Sequence, residues 1–239
     1  MSGFPGGTAV SLLSVYDWPT ADGQAGGSPH LHTASTEGYV VVGGTGAVET
    51  LSADGYQRHD LARGTVLWFT PGTVHRLVNG SGDLQLVVVM QNAGIPEAGD
   101  AVITFPEAIL DDPEAYAAAA GAPAAPDLTE DQRGDAARTR RDLAVEGYLA
   151  LRERVETEGP SAMRPLWDKA ARLVAGRTEA WRKLWADGPK AQADATGAHL
   201  DALANADATH LCDAHVSDAG DAVPRWGMCG RLQTWDLRP

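Results

Sequence analysis

Three histidines and one glutamate are the residues of this chain whose types and spacing can do chemistry. His30 and His32 stand one residue apart in "GGSPHLHTASTEGYVVVGG", Glu37 follows after Thr33 to Thr36, and His75 lies in "GTVLWFTPGTVHRLVNG". On an extended strand, side chains two residues apart project from one face, so His30 and His32 point together. The intervening stretch leaves room for a kink or bulge that returns the Glu37 carboxylate to the same centre. Three imidazoles and a carboxylate form a mixed nitrogen and oxygen donor set suited to Fe(II), Mn(II), Ni(II), Co(II) or Zn(II). In a six-coordinate sphere such a set leaves two positions for water, O2 or a chelating substrate, as Lewis-acid or oxygen-activating chemistry requires. Residue types alone leave another reading open, in which two strand histidines, an edge charge and a turn histidine are simply solvated.

The elements that must position these groups come from the first part of the chain. Up to about residue 105 it is built of short β-branched runs separated by Gly, Pro, Asp and Asn, a pattern that predicts an all-β sandwich or barrel. Asp54-Gly55 is a tight-hairpin signal, and Asn79 to Asp83 reads as another turn. From Phe105 the chain turns Ala-rich, and "AYAAAAGAPAAPD" reads as a helix end running into a Pro/Ala linker. Thr129 and Gln132 fit a capping box. Leu143, Gly147, Leu151 and Val155 share one helical stripe. Leu166, Ala170, Leu173, Val174, Trp181, Leu184 and Trp185 keep a 3.6-residue period that Gly188-Pro189 is expected to stop. A third helix is expected over about 190–209. Trp167, Trp181 and Trp185 are expected as buried packing residues. The tail "VPRWGMCGRLQTWDLRP" reads as one more strand, either returning to the β part or crossing to a partner subunit. The expected division is therefore 1–105, a β-barrel, and 106–239, a helical extension ending in a strand.

Bulk properties narrow the class of partner. Nineteen Lys and Arg against 32 Asp and Glu give a formal net charge of -13. That field repels phosphate backbones and acidic membrane surfaces, so neither nucleic acid nor membrane is an expected partner. No apolar run approaches the roughly 20 residues that cross a bilayer. No basic segment precedes the first short apolar patch, which argues against a signal peptide. Two cysteines in a chain of this size make no disulfide scaffold, so a cytoplasmic location with reduced thiols is expected.

The spacing of the four candidate ligands resembles the two motifs of the cupin superfamily. His30, His32, Glu37 and Gly44 match the first motif, and Gly64, Gly72, His75 and Asn79 the second. The short gap from Gly44 to Gly64 is similar to that of compact microbial-type cupins. Thr70 stands where the second motif usually has proline, with Pro71 one place on, and the leading glycine of the first motif is offset, with Gly23 or Gly26 nearby. Neither departure touches a ligand. The resemblance covers roughly residues 8–92 and implies a mainly β jelly-roll barrel, with an α-helical C-terminal region added here. It also implies a divalent metal held by His30, His32, Glu37 and His75, Fe(II) being favoured over Ni, Mn, Co or Zn. Gly43, Gly44 and Gly46 would let the chain turn tightly out of the ligand-bearing strand.

Alternation places Tyr39 and Val41 on the face of Glu37, and Leu77 and Asn79 on that of His75, while Arg76 points the other way. Glu37 and Tyr39 are the catalytic candidates, with plain barrel packing the favoured reading for Tyr39. Trp68, Phe69 and Met90 are expected as cavity wall or core, and Gln85 and Gln91 as groups able to orient a ligand, with plain edge solvation the favoured reading for each. Trp68, Gln85, Met90 and Gln91 are thus the substrate-binding candidates. His59 is expected at the surface. His210, Cys212, His215 and Cys229 include zinc-compatible Cys-x2-His spacing, but the remainder matches no finger and separate roles are the favoured reading.

Cupins host many chemistries, so the site must choose among them. The β part carries only Arg58, Arg63 and Arg76 as cations, which argues against a phosphorylated sugar needing a clamp. With no cysteine before Cys212, a cysteine–tyrosine crosslink of the thiol dioxygenase kind is not expected within the barrel. A single barrel excludes a bicupin decarboxylase, and no basic helix-turn-helix is evident. The expectation is a mononuclear, dioxygenase-type oxidoreductase acting on a small chelating organic substrate. A metal-dependent isomerase, epimerase or lyase is the alternative, with a non-catalytic small-molecule binder beside it. A homodimer is expected, through the tryptophan-bearing helices and the C-terminal strand.

Overall fold

The structure, a computed structural model, describes residues 3–238; Met1, Ser2 and Pro239, at the ends of the two expected domains, lie outside the described residues. Nine strands come first: β1 (Ala9–Val15), β2 (His30–His32), β3 (Glu37–Gly43), β4 (Thr45–Ser52), β5 (Gly55–Ala62), β6 (Val66–Phe69), β7 (Val74–Asn79), β8 (Gln85–Met90) and β9 (Ala101–Ile103). Two more, β10 (Val223–Trp226) and β11 (Gly230–Thr234), close the chain. They form two sheets, ordered β10-β11-β1-β8-β3-β6 and β5-β4-β7-β2-β9. The interleaved runs 1-8-3-6 and 5-4-7-2 are the double Greek key of a jelly roll, as expected.

Local chemistry accounts for the turns. β4 and β5 pair Ser52 with Gly55 across a two-residue loop, and Gly55 takes a φ of 83°. The exit from β3 needs Gly44, whose φ is 66° and where a Cβ would come within 2.6 Å of the Leu84 nitrogen. Asn79 shapes the β7–β8 turn, its Oδ1 accepting from the N–H groups of Gly82 and Leu84.

The helical part comprises α1 (Glu107–Leu110), α2 (Pro113–Gly121), α3 (Glu130–Glu158), α4 (Arg164–Val174), α5 (Thr178–Trp185) and α6 (Ala191–Ala204). The Thr129–Gln132 capping box starts α3 as read from sequence. The stripe from Leu166 to Trp185 is corrected to two helices joined by a 3-10 turn, Ala175–Arg177. Gly188-Pro189 does not stop the helical run. Pro189 sits inside a π turn, Ala186–Lys190, whose wider hydrogen bonding tolerates the missing N–H and leads on into α6. Of the three helical tryptophans, Trp181 is buried and Trp167 partly so, but Trp185 is 45% exposed, a second correction.

Two apolar cores result. One fills the barrel with Leu13, Tyr39, Val48, Leu77, Leu86 and Met90. The other joins Leu51, Val74 and Val102 of the five-stranded sheet to Tyr148, Met163 and Trp181 of the helices. Each fully buried side chain of this kind contributes roughly 1.5–3 kcal/mol. Arg76, out of phase with His75, is fully buried between that sheet and α3, 2.6 Å from Asp22. Beside it Glu49 accepts from Arg58 and from the Tyr148 hydroxyl. An ionic network thus docks the helices, with Arg76 Nε left without a hydrogen-bond partner. The tail returns to its own barrel: β11 pairs with β1, Leu232 opposite Leu13. Among the described residues no helix is long and apolar enough to cross a membrane.

Candidate metal centre

The two sheets contribute different halves of the centre. His30 and His75 lie directly opposite each other on β2 and β7, and His32 follows on the same face of β2. Glu37 opens β3 in the other sheet, paired with Phe69 of β6 on one side and Met90 of β8 on the other. One ligand atom from each of His30, His32, Glu37 and His75 falls within 4.8 Å of all the others, and all four residues are buried.

The loop between His32 and Glu37 crosses from sheet to sheet around a single carboxylate. Asp100 accepts from the backbone N–H groups of Thr33, Ala34 and Ser35 at 2.7–3.0 Å and from the Thr33 hydroxyl at 2.6 Å. Its Oδ2 also lies 3.4 Å from His32 Nδ1. Sequence reasoning missed Asp100, which lies 68 positions beyond His32 in an unremarked turn; no spacing rule links the two.

Each imidazole is oriented from behind. His30 Nδ1 lies 2.9 Å from the Ser28 carbonyl and His75 Nδ1 3.2 Å from that of Thr73. A carbonyl only accepts, so both rings carry their proton on Nδ1 and present the Nε2 lone pair inward. Those two Nε2 atoms are 3.1 Å apart. Glu37 Oε2 stands 3.1 Å from Nε2 of both His32 and His75, yet no hydrogen bond is properly directed at it. Lone pairs and a carboxylate oxygen facing one another in a buried space are a donor set for a cation, and a divalent ion fits these residues.

The electrostatics follow from burial and crowding. Burial, with His75 and His32 nearby, holds His30 well below the usual imidazole range. Burial also opposes the charge on His32, but the carboxylates of Asp100 and Glu37, close on either side of the ring, outweigh it and push the group up to about 9. Burial works to raise Glu37, but the neighbouring His75 and His32 hold it well below the carboxylate range. Burial and the Glu37 charge push Tyr39 well above a free phenol.

The other sequence candidates separate cleanly. Tyr39 lies inside the barrel with a hydroxyl that has no hydrogen-bond partner, and Met90 lies on the same inner face. Phe69 stacks on His75 at 4.2 Å between ring centroids. Trp68 does not line the cavity: it is 71% exposed, because pairing of Phe69 with Glu37 turns the adjacent side chain outward. Gln85 is also corrected. Leu86, Val88 and Met90 take the inner face of β8, so Gln85 faces out and reaches Ser14 instead. Gln91 is exposed, and it hydrogen-bonds the Thr36 backbone beside Glu37.

The C-terminal part reaches the centre, which sequence did not anticipate. Trp167 Nε1 donates to the Gly72 carbonyl at 2.8 Å, and the Gly72 N–H donates to the His32 carbonyl at 2.8 Å. Cys229 is buried in the barrel core that includes Tyr39, its Sγ 4.0 Å from His30 Nδ1. No cysteine precedes Cys212 in the sequence, yet the terminal hairpin carries Cys229 into the barrel. Cys212 is free and exposed while Cys229 is free and buried, so the two neither pair nor share a zinc site.

Residues 20–90 match the family model of the cupin domain, and this stretch is a cupin domain, as the two motifs implied. Among solved structures, the chain is similar to an uncharacterized conserved protein with a double-stranded β-helix domain from Klebsiella pneumoniae. That match has 18% identity, a TM-score of 0.29, and covers 35% of this chain and 66% of that one. It is also similar to WlaRA, a TDP-fucose-3,4-ketoisomerase from Campylobacter jejuni, at 15% identity and TM-score 0.32, covering 38% and 64%. A third is KdgF from Halomonas sp., at 25% identity and TM-score 0.25, covering 28% and 57%. The chain thus spans less than two thirds of each of these structures. No curated protein matches the chain. At these levels of likeness, activity has to be argued from the site itself.

Proposed function

We propose that this chain is a mononuclear metal-dependent enzyme that uses O2 to oxidise a small, uncharged organic substrate bearing two adjacent oxygen donors, such as an enol or catechol. The observation that carries the reading is the inward convergence of three Nε2 atoms and the Glu37 carboxylate against the apolar wall of Phe69 and Met90. A bound divalent ion supplies Lewis acidity and, if redox-active, electrons for O2, which favours Fe(II).

The residues of the chain do the rest. Ser28, Thr73 and Asp100 fix the three rings so that their Nε2 atoms stay aimed at one point. His32 and Glu37 each keep 7% of their side chains exposed while His75 keeps none, so a substrate enters at the His32–Glu37 edge. Glu37 balances the charge of the site and can take a substrate hydroxyl proton. The unpartnered Tyr39 hydroxyl can donate to a substrate oxygen. The barrel arginines face elsewhere: Arg58 and Arg76 are committed to Glu49 and Asp22, and Arg63 is exposed, in keeping with an uncharged substrate. Two free cysteines are in keeping with a reducing, cytoplasmic location.

A second reading is favoured by the Tyr39 hydroxyl beside Glu37, which together form a proton donor and acceptor for a metal-dependent isomerase, epimerase or lyase. The deciding experiment measures metal content and oxygen consumption on the same preparation with enol and catechol substrates. Stoichiometric uptake with iron supports the oxidative reading. Zinc with carbonyl isomerisation and no uptake supports the second. A retained small molecule without turnover makes the domain a binder.

A further inference from the structure

Each of the three imidazoles faces a group that the C-terminal part of the chain holds in turn. The Thr73 carbonyl faces His75, Asp100 faces His32, and the Ser28 carbonyl faces His30. All three groups lie outside the strands, so the regular ladders do not fix them. Trp167 on α4 donates from Nε1 to the Gly72 carbonyl, one residue before Thr73, at 2.8 Å. Arg177, in the 3-10 turn that follows, donates to the Gly99 carbonyl at 2.7 Å, one residue before Asp100. Trp181 on α5 donates to that of Ala98 at 3.2 Å. Behind Ser28, the Met228 carbonyl accepts its N–H at 2.9 Å, and Arg140 on α3 donates to the Gly227 carbonyl at 2.6 Å. Two details set these contacts apart from ordinary docking. Arg177 is exposed and has water to bond, so burial does not force its choice of acceptor. Gly99 has a φ of 91°, and a Cβ there would lie 2.4 Å from Arg177 Nη1, so only a glycine leaves room for the guanidinium.

We infer that the helical extension sets the metal affinity of the barrel, with Trp167 and Arg177 as positioning residues that act through Gly72–Thr73 and Gly99–Asp100. The inference rests on the metal-binding reading of the four ligands given above. A group that fixes a ligand imidazole from behind is worth about 10–100-fold in metal affinity. Trp167 and Arg177 stand one step further back, so each is worth about one hydrogen bond, roughly 3–10-fold. The physical origin is preorganisation. A loop free to shift must be ordered when the ion binds, whereas a loop already pinned bears that cost on folding. The two loops reach different ligands, His75 and His32, and share no contact with the extension, so their effects multiply. The extension therefore adds no ligand of its own. It narrows where the barrel's ligands can point.

Titration of the metal-free full chain with Co(II), followed by its visible absorption, tests this. Trp167→Phe keeps the ring and removes only the N–H, and Arg177→Ala alters an exposed side chain, so both variants retain the fold. Each is expected to bind Co(II) about 3–10-fold more weakly than the wild type, and the double variant about 10–100-fold. Trp185→Phe, the same change at a position 45% exposed on α5, is the control and should match the wild type. Affinity is the deciding readout, because a contact that only stabilises the fold lowers the melting point of the metal-free chain without altering how tightly folded protein binds. A shifted absorption band in the variants would show that the ligand rings have turned. Wild-type affinity in either variant, whatever its melting point, overturns the proposal, and so does an equal loss in Trp185→Phe. A wild type that binds no Co(II) overturns the metal reading and this inference with it, which separates the two failures.

Discussion

Asp100 Oδ2 stands 3.4 Å behind Nδ1 of His32, and the same carboxylate gathers the N–H groups of Thr33, Ala34 and Ser35. The helical half in turn holds the turn that carries Asp100: Trp181 Nε1 donates to the Ala98 carbonyl and Arg177 to that of Gly99. A charge-bearing partner behind a ligand imidazole fixes its tautomer and raises its basicity. Asp100→Asn is therefore expected to weaken metal binding by about 10–100-fold, read by competition with a chromogenic chelator. Unchanged affinity with a well-folded variant would show that Asp100 serves the loop alone.

Removing metal should destabilise the protein. Binding to the folded state alone adds RT ln(1 + [L]/Kd), about 2.7 kcal/mol at 100-fold excess over Kd. Dialysis against a chelator is expected to lower Tm, and added Fe(II), Mn(II) or Ni(II) to restore it. His75→Ala should abolish that recovery. A melting curve indifferent to chelator and metal would argue that the four side chains hold no ion.

The metal-free protein should be most stable near pH 6.5 as far as this site is concerned. His32 is raised to about 9 when folded, so its contribution is full below the unfolded value of about 6.5 and disappears as pH rises through 9. His30 is depressed, so its contribution is present above about 6.5 and is lost as pH falls. Thermal melts across pH 5–10 should show both flanks in chelated protein and a flatter alkaline flank with metal bound. An alkaline flank unchanged by metal would remove His32 from the ligand set.

Two neighbouring aromatic residues should behave oppositely. Phe69→Ala removes a ring stacked on His75 and is expected to cost about 3 kcal/mol in denaturant unfolding, with weaker metal retention. Trp68→Ser alters an exposed residue and should leave metal uptake unchanged. Equal effects on metal retention would mean that the phase assigned to β6 is wrong.

Much of the barrel was legible because it rests on local rules. Period-2 alternation set the inward face of β3 and β7, so Glu37, Tyr39 and His75 could be placed together and Arg76 apart from them. Turn chemistry at Gly55 and Asn79, and the Thr129–Gln132 cap, involves residues a few positions apart. Those signals survive in sequence because the interacting groups are close along the chain. The phase of β6 was not so marked, since "VLWF" offers no polar position to fix which side faces in, and cross-strand pairing with Glu37 decided it. Asp100 behind His32, Trp167 holding Gly72 and Cys229 beside His30 join residues separated by dozens to hundreds of positions. No periodicity or spacing encodes such contacts. They arise when the sheets close and the terminal hairpin pairs with β1, because long-range packing chooses among many arrangements that local preference leaves equal.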